Sequence, residues 1–163
     1  MAKIIVGIMG PGEGATQQDC ELADELGQLV AQKGWVLLTG GRKHGVMHAA
    51  SEGAHRAGGL TLGILPSANL DDISEAVDIP VLTGVGEARN VINVLTSRVV
   101  VVCGMSSGTA SEVTLALKSQ RPVVLVGTGT AAVTFFNSLG GRISVARDPQ
   151  DAIRIVDKIL QET

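Results

Sequence analysis

The chain has 163 residues, of which 45% are hydrophobic and 18% are charged, and its formal net charge is -3. A chain of this length can bury a substantial core, and we expect one domain over residues 1–163. The slight acidic balance gives no general attraction to nucleic acid or anionic membranes, and one Trp, two Phe and no Tyr are too few for a base-stacking surface. We therefore expect neither nucleic acid nor a membrane as a partner.

The cysteines and the amino-terminal run favour the cytoplasm. Cys20 and Cys103 are far apart and lack the spacing of a zinc site, and Cys103 ends an apolar run, where it is expected to act as a small hydrophobic residue. The apolar run at residues 4–9 is too short for a signal peptide or a membrane span. These features predict a protein of a reducing compartment.

Short apolar runs alternate with segments of helical periodicity along the chain. The runs predict strands at residues 4–9, 35–39, 61–65, 79–82, 99–103, 122–126 and 143–145. The segments between them predict helices at 16–32, 46–57, 91–97, after Gly108, at 132–139 and from Asp148-Pro149 onward. This alternation predicts an α/β fold, a Rossmann-like, doubly wound and mainly parallel sheet with helices on both faces.

Three glycine-bearing turns follow predicted strands and precede predicted helices. They lie at residues 10–14 (Gly-Pro-Gly-Glu-Gly), 40–45 (Gly-Gly-Arg-Lys-His-Gly) and 104–108 (Gly-Met-Ser-Ser-Gly). The first turn departs from Gly-x-Gly-x-x-Gly, and no acidic residue follows the second strand as a ribose partner, which argues against NAD. Because turns at the carboxyl ends of parallel strands converge, we expect these three to line one crevice.

The turn at residues 104–108 has the features of an anion site. The first N–H groups of the following helix lack partners within it, and Ser106, Ser107 and Thr109 add hydroxyl groups there. Arg42, in the second turn, has the guanidinium fork that suits phosphate or a related oxyanion. Alternatively, the small residues only form a tight turn, and the charges of residues 42–44 are only solvated.

Two further charged residues are candidates for the same crevice. Glu112, one helical turn beyond Gly108, either caps the turn through its N–H groups or acts on a group bound beside a phosphate. Arg89 lies near a helix start, where the helix dipole disfavours a cation, so we expect an anion or a carboxylate such as that of Glu112 as its partner. His48 and His55 lack the pattern of metal ligands, and no resident metal is expected.

The residues Gly108, Thr109 and Glu112 form a Gly-Thr-x-x-Glu motif, and Arg89 stands 23 positions before the glutamate. This pattern resembles the family of Rossmann-like proteins that includes the cytokinin-activating phosphoribohydrolases, once labelled lysine decarboxylases. Over nearly its full length the chain is most similar, within that family, to molybdenum cofactor carrier proteins of green algae and cyanobacteria. The similar segments lie at residues 7–12, 37–42, 45–48, 77–80 and 104–113.

The resemblance implies a non-catalytic homo-oligomer, a tetramer, that binds the molybdenum cofactor (molybdopterin with molybdate) as cargo. Such a protein shields the cofactor from oxidation and transfers it to recipient apo-molybdoenzymes. The phosphate or molybdate oxyanion is expected near Ser106, Ser107, Gly108 and Thr109. The remaining cofactor-binding residues implied are Gly10, Pro11, Gly12, Gly40, Gly41, Arg42, Arg89, Asn90, Gly104 and Glu112.

The alternative is a nucleoside 5'-monophosphate phosphoribohydrolase. In those enzymes the Arg and Glu that correspond to Arg89 and Glu112 cleave an N-glycosidic bond. They usually show Pro-Gly-Gly-x-Gly-Thr and Arg-Lys, whereas this chain has Gly-Met-Ser-Ser-Gly-Thr at residues 104–109 and Arg89-Asn90. The missing Lys removes a positive charge that would hold the substrate phosphate, which argues for the carrier.

Overall fold

Strands and helices alternate along residues 1–162, the part of the chain that the structure, a computed structural model, describes. The elements are β1 (Ile5–Met9), α1 (Gln17–Gln32), β2 (Val36–Thr39), α2 (Gly45–Arg56), β3 (Thr61–Leu65), β4 (Ile79–Leu82), α3 (Arg89–Thr96), β5 (Val99–Cys103), α4 (Ser107–Lys118), β6 (Val123–Val126), α5 (Thr130–Ser138), β7 (Ile143–Ala146) and α6 (Pro149–Gln161).

All seven strands form one parallel sheet in the order β4-β3-β2-β1-β5-β6-β7. The chain winds outward from β1 to β4, then crosses back to β5 and winds outward in the other direction. One apolar cluster joins the sheet to α1, α2 and α6, and a second joins its opposite face to α3, α4 and α5. The predicted doubly wound, parallel α/β fold with helices on both faces is confirmed.

Burial explains the composition of the strands. Every residue of β5 is fully buried, because helices cover both faces of this central strand, and its sequence is Val-Val-Val-Val-Cys. Cys103 is therefore a buried, unpaired thiol at the end of β5, as expected from the sequence. By contrast, all four residues of β4 are exposed, and this edge strand accommodates Pro80 because its outer side has no strand to pair with.

The helix starts differ from the predicted ones by up to two residues. Helix α3 begins at Arg89 instead of residue 91, since a single 3-10 turn over Gly86–Ala88 leads directly into it. Helix α1 begins after Thr16, which forms a capping box with Asp19. Within residues 1–162, no helix combines the length and the apolar composition that crossing a membrane would require.

Helices α1 and α2 approach each other so closely that two glycines are required at their contact. A Cβ atom on Gly27 of α1 would overlap the carbonyl oxygen of Ala50, and one on Gly53 of α2 would overlap that of Asp24. The two contacts are reciprocal, so each backbone packs against a glycine of the other helix. This packing fixes α2, whose amino end follows the second glycine-bearing turn.

We predict that Gly27→Ala lowers the free energy of unfolding by about 2 kcal/mol or more, because the new methyl group meets rigid backbone. Gly14→Ala is the matched control, since a Cβ atom there meets nothing within 4 Å, and its effect should stay within about 0.5 kcal/mol. Urea denaturation of both variants and the wild-type protein measures the difference. Equal stability of the two variants would contradict the close packing of α1 and α2.

Candidate functional site

A cavity of about 270 Å³ opens at the carboxyl edge of the sheet. Its walls come from the loops after β1 and β2 and from the first turns of α3 and α4. The cavity lies above the two adjacent central strands, β1 and β5. These strands pair in parallel, from Val6 with Val99 to Met9 with Val102. The winding direction of the chain reverses between these two strands, and doubly wound proteins bind their ligands at such a point.

Most of the residues predicted from the sequence line this cavity, and some lie outside its lining. Those in the lining are Gly10, Gly12, Gly40, Arg42, Arg89, Asn90, Ser106, Gly108, Thr109 and Glu112. The predicted residues outside it are Pro11, Gly41, Gly104 and Ser107. The three glycine-bearing turns therefore converge on one crevice, as their positions after parallel strands predicted.

Local backbone geometry explains these four exceptions. Pro11 is buried, and its carbonyl oxygen accepts a hydrogen bond from the N–H of Val46 at 2.9 Å. Gly41 and Gly104 have φ angles of 77° and 72°, a left-handed conformation that turns the chain, so glycine is needed there for the turn. The side chain of Ser107 is exposed on the outside of the first turn of α4.

Sequence reasoning missed four residues of the lining: Met9, Glu13, Met47 and Glu87. Met9 and Met47 belong to the apolar patterns of β1 and α2, so nothing distinguished them from core residues. Glu13 lies inside the first glycine-bearing turn, and Glu87 stands two residues before Arg89. Both could have been predicted as lining residues from these positions in the sequence. The two carboxylates place negative charge beside the predicted cations.

The first turn of α4 presents polar groups to the cavity. Ser106 caps the helix by accepting a hydrogen bond from the N–H of Thr109 at 3.2 Å, and the two hydroxyl groups are 2.9 Å apart. The N–H groups of Ser107 and Gly108 have no acceptor within the helix. The arrangement offers backbone N–H groups, two hydroxyl groups and the positive end of the helix dipole to an anion.

Two glycines make room for this arrangement. A Cβ atom on Gly10 would overlap the carbonyl oxygen of Cys103, so the loops after β1 and β5 touch through backbone. A Cβ atom on Gly40 would overlap the guanidinium group of Arg89, which occupies the space that the glycine leaves. At both positions glycine permits close approach, to backbone at Gly10 and to a guanidinium group at Gly40.

Arg89 is a buried cation without a direct carboxylate partner. It is only 4% exposed, its Nε atom has no hydrogen-bond acceptor, and it forms no ion pair with another residue in the range 1–162. Of the two partners expected for Arg89, the carboxylate of Glu112 acts only at a distance, and an anion stays a prediction. Burial lowers the pKa of Arg89, while the carboxylates of Glu112 and Glu87 oppose this shift from a longer distance.

Glu112 is buried in the cavity wall and does not cap the turn. Its Oε1 atom accepts a hydrogen bond from the side-chain amide of Asn93 at 3.0 Å, so the capping role is wrong and Ser106 takes it. Burial raises the pKa of Glu112 to about 7, although the Asn93 hydrogen bond and the charge of Arg89 lower it. Near neutral pH the carboxyl group is thus divided between its protonated and ionised forms.

Arg42 reaches the cavity but is not a free guanidinium fork. Its Nε atom donates to Asp72, and its Nη2 atom lies 3.5 Å from the carboxylate of Glu13. Asp72 also bonds the ring Nε2 atom of His44 at 2.9 Å. The hydrogen bond from Arg42 to Asp72 raises the pKa of Arg42, and much of its charge is compensated before any ligand binds.

A family model described as the SLOG cluster4 family matches residues 3–153. The chain belongs to the SLOG cluster4 family. This SLOG cluster4 protein is 39% identical over 129 residues to an uncharacterized protein from Archaeoglobus fulgidus, a match that covers 75% of this chain and 83% of that one.

Two solved structures are similar to this SLOG cluster4 protein over almost the whole chain. The molybdenum cofactor binding protein from the phototrophic bacterium Rippkaea orientalis is 52% identical, with a TM-score of 0.96 over 98% of this chain and 99% of that chain. The Moco carrier protein from Chlamydomonas reinhardtii is 51% identical, with a TM-score of 0.94 over 99% of this chain and 100% of that chain. The resemblance inferred from the motifs is confirmed.

We predict that Glu112 makes the stability of this SLOG cluster4 protein fall as pH rises. Its pKa is about 7 when folded and 4.5 without the fold, so between these values only the folded state holds the proton. The protonated carboxyl group contributes up to about 3 kcal/mol to the free energy of unfolding. This contribution is complete below pH 4.5 and is lost by about pH 7. Glu112→Gln keeps the acceptor for Asn93 and should remove this dependence.

The measurement is urea denaturation of the wild-type protein and Glu112→Gln at pH 5 and pH 8. The variant should be the more stable of the two at pH 8, and the difference between them should shrink at pH 5. Glu75→Gln, which changes an exposed glutamate, serves as the control and should follow the wild-type protein. A difference between wild type and Glu112→Gln that is the same at both pH values would rule out the buried titration.

Proposed function

We propose that this protein is a carrier of the molybdenum cofactor. It binds the cofactor, with its molybdate, as cargo, protects it from oxidation in the cytoplasm and hands it to recipient apo-molybdoenzymes. The observation that carries this proposal is Arg89, a buried cation with an unpartnered Nε atom, placed in the crevice between the first turns of α3 and α4. The similarity to two proteins named for this cofactor supports it.

The chemistry of the cavity suits the phosphate of such a cargo. The amino-terminal turn of α4, with Ser106, Gly108 and Thr109, offers neutral hydrogen-bond donors, and Arg89 offers one uncompensated charge. The cavity of about 270 Å³ is smaller than sites that enclose a ligand, which span roughly 300–1,000 Å³. A molecule of cofactor size would therefore extend beyond it, which leaves part of the cargo accessible to a recipient.

The charge balance of the cavity favours reversible binding. Arg42 and Arg89 are accompanied in the lining by Glu13, Glu87 and Glu112, so the crevice holds no surplus of positive charge. An anion is held there by hydrogen bonds and one buried guanidinium group, without a dense cationic pocket. Transfer to another protein requires release, and a site of this balance makes release easier.

Cofactor retention tests the proposal through Thr109→Val, which keeps the shape of the side chain and removes its hydroxyl group. We expect the variant to retain the fold and to hold the cofactor roughly tenfold less tightly, since one hydrogen bond to a charged group contributes about 1.5 kcal/mol. Thr114→Val is the control, because that hydroxyl bonds only to carbonyl groups of its own helix. The assay follows how long added cofactor can still activate an apo-molybdoenzyme in air.

Two outcomes would contradict the carrier. One is cofactor that decays in the presence of the protein as fast as in buffer. The other is release of free base from adenosine monophosphate or a cytokinin riboside monophosphate that is lost in Arg89→Ala and Glu112→Ala. The second outcome would establish the phosphoribohydrolase, which the structure keeps in contention because both residues line one cavity.

We also propose that the protein is a homotetramer. Helix α3 buries Asn90, Asn93 and Val94 but leaves Val91, Ile92 and Leu95 on an exposed apolar face. A second apolar patch lies at Phe135 and Leu139, at α5. Two separate apolar surfaces allow two kinds of symmetric contact, which a tetramer built from dimers requires, and a second copy of the chain is the occupant we assign to both.

Light scattering after size-exclusion chromatography tests the assembly. The wild-type protein should have about four times the protomer mass of 16.8 kDa, and Leu95→Glu should reduce it to two or one protomers. Leu95 and Leu70 are both 50% exposed, and Leu70 lies outside both patches, so Leu70→Glu is the matched control and should leave the mass unchanged. A monomeric wild-type protein would refute the tetramer.

A further inference from the structure

A second cavity, of about 330 Å³, lies at the amino edge of the sheet, opposite the cargo site. Arg98, Arg121 and Arg142 line it together with the apolar side chains of Pro122, Ile159 and Leu160. We call this cavity the arginine pocket. None of these arginines takes part in the site described above.

The strand register brings the three arginines together. Arg98 directly precedes β5, Arg121 stands two residues before β6, and Arg142 directly precedes β7. The sheet pairs Val100 with Val123 and Val123 with Ile143. Counting back from these pairs sets Arg98 beside Arg121 and Arg142 beside Pro122, on strands spaced about 4.8 Å apart. Because side chains alternate between the two faces of a sheet, the register sets Arg98 and Arg121 on one face and Arg142, level with Pro122, on the other, and the three residues meet at the amino edge of three adjacent strands.

Among residues 1–162, no carboxylate forms an ion pair with this cluster. None of the three arginines forms an ion pair with any residue from 1 to 162. Arg121 donates through Nη2 to the carbonyl oxygen of Leu95 at 2.9 Å, while its Nε atom is buried without an acceptor. Like charges on adjacent strands destabilise the folded state. The chain has more acidic than basic residues, with a net charge of -3, yet none of its described carboxylates pairs with these arginines.

Helix dipoles account for part of this placement only. Arg98 and Arg121 follow the carboxyl ends of α3 and α4, whose partial negative charge favours single cations. Arg142 likewise follows the carboxyl end of α5. The helix dipoles do not explain why all three arginines border one cavity without an ion-pair partner among residues 1–162. A ligand with several negative charges would supply that partner.

We propose that the arginine pocket binds a small molecule that carries a diphosphate or polyphosphate group. Guanidinium forks match the paired oxygens of phosphate, and three of them suit a polyvalent anion better than a single carboxylate. Pro122, Ile159 and Leu160 form an apolar wall that suits a less polar part of the same ligand. Because the two cavities lie at opposite edges of the sheet, this ligand and the cargo do not compete for one site.

Pyrophosphate is the probe, and amide chemical shifts of the full chain are the first readout. Binding in the arginine pocket should shift the amides of Val99, Val123 and Ile143 at the amino edge. Shifts confined to Gly108 and Thr109 would place the anion at the carboxyl edge and overturn the proposal. No shifts at millimolar pyrophosphate would also overturn it, without bearing on cofactor binding at the other edge.

Calorimetry with variants tests the arginines themselves. Arg98→Gln and Arg142→Gln change exposed side chains, so the fold should survive, and each should weaken pyrophosphate binding about tenfold or more through the loss of a charge-assisted hydrogen bond. Lys118→Gln removes the same charge from an exposed residue outside the lining and should change the affinity by less than about twofold. Equal weakening by all three variants would reduce the effect to general charge and refute the pocket.

A comparison of pyrophosphate with adenosine diphosphate identifies the source of the phosphates. Tighter binding of the nucleotide would support the proposal and assign the apolar wall to the nucleoside. Equal affinity for both would support a site for the phosphates alone.

Discussion

The pairing of β1 with β5 is the constraint on which the rest of the molecule depends. The chain leaves β1 for α1 on one face of the sheet and leaves β5 for α4 on the other, so the loops at the carboxyl ends of these strands diverge and leave a crevice. The strands themselves stay close enough that Gly10 touches the backbone of Cys103, where any larger residue would separate them. The sheet order thus creates the site, and glycine keeps it narrow.

Within that crevice a buried charge is held by the fold without a direct partner. Placing a guanidinium group in a buried position costs free energy unless an anion compensates it. The carboxyl groups near Arg89 act on it only at longer range, and burial raises the pKa of the nearest buried one, Glu112, to about 7. A partly protonated Glu112 repels an incoming anion less than an ionised one, so the same burial that leaves Arg89 unpaired also makes the cavity more receptive to negative charge.

The sequence predicted the architecture well because each central strand is an uninterrupted apolar run and each turn ends in small residues. It predicted convergence of the three turns for the same reason. It failed where the outcome depends on packing in three dimensions: Glu112 bonds Asn93 on the neighbouring helix, and Arg89 occupies space left by Gly40. The arginine pocket was out of reach because its members are far apart in the chain and only the strand register aligns them.

Asn90, the residue after Arg89, orders the first turn of α4. Asn90 is buried, and its side-chain amide donates to the hydroxyl of Ser111 at 3.0 Å, which in turn donates to the carbonyl oxygen of Gly108 at 2.6 Å. This chain of hydrogen bonds uses Asn90 to fix the first turn of α4. A lysine there would place a second buried cation beside Arg89, strengthening the hold on phosphate at the cost of burying another charge. The asparagine therefore keeps the first turn of α4 ordered without adding a second buried cation beside Arg89.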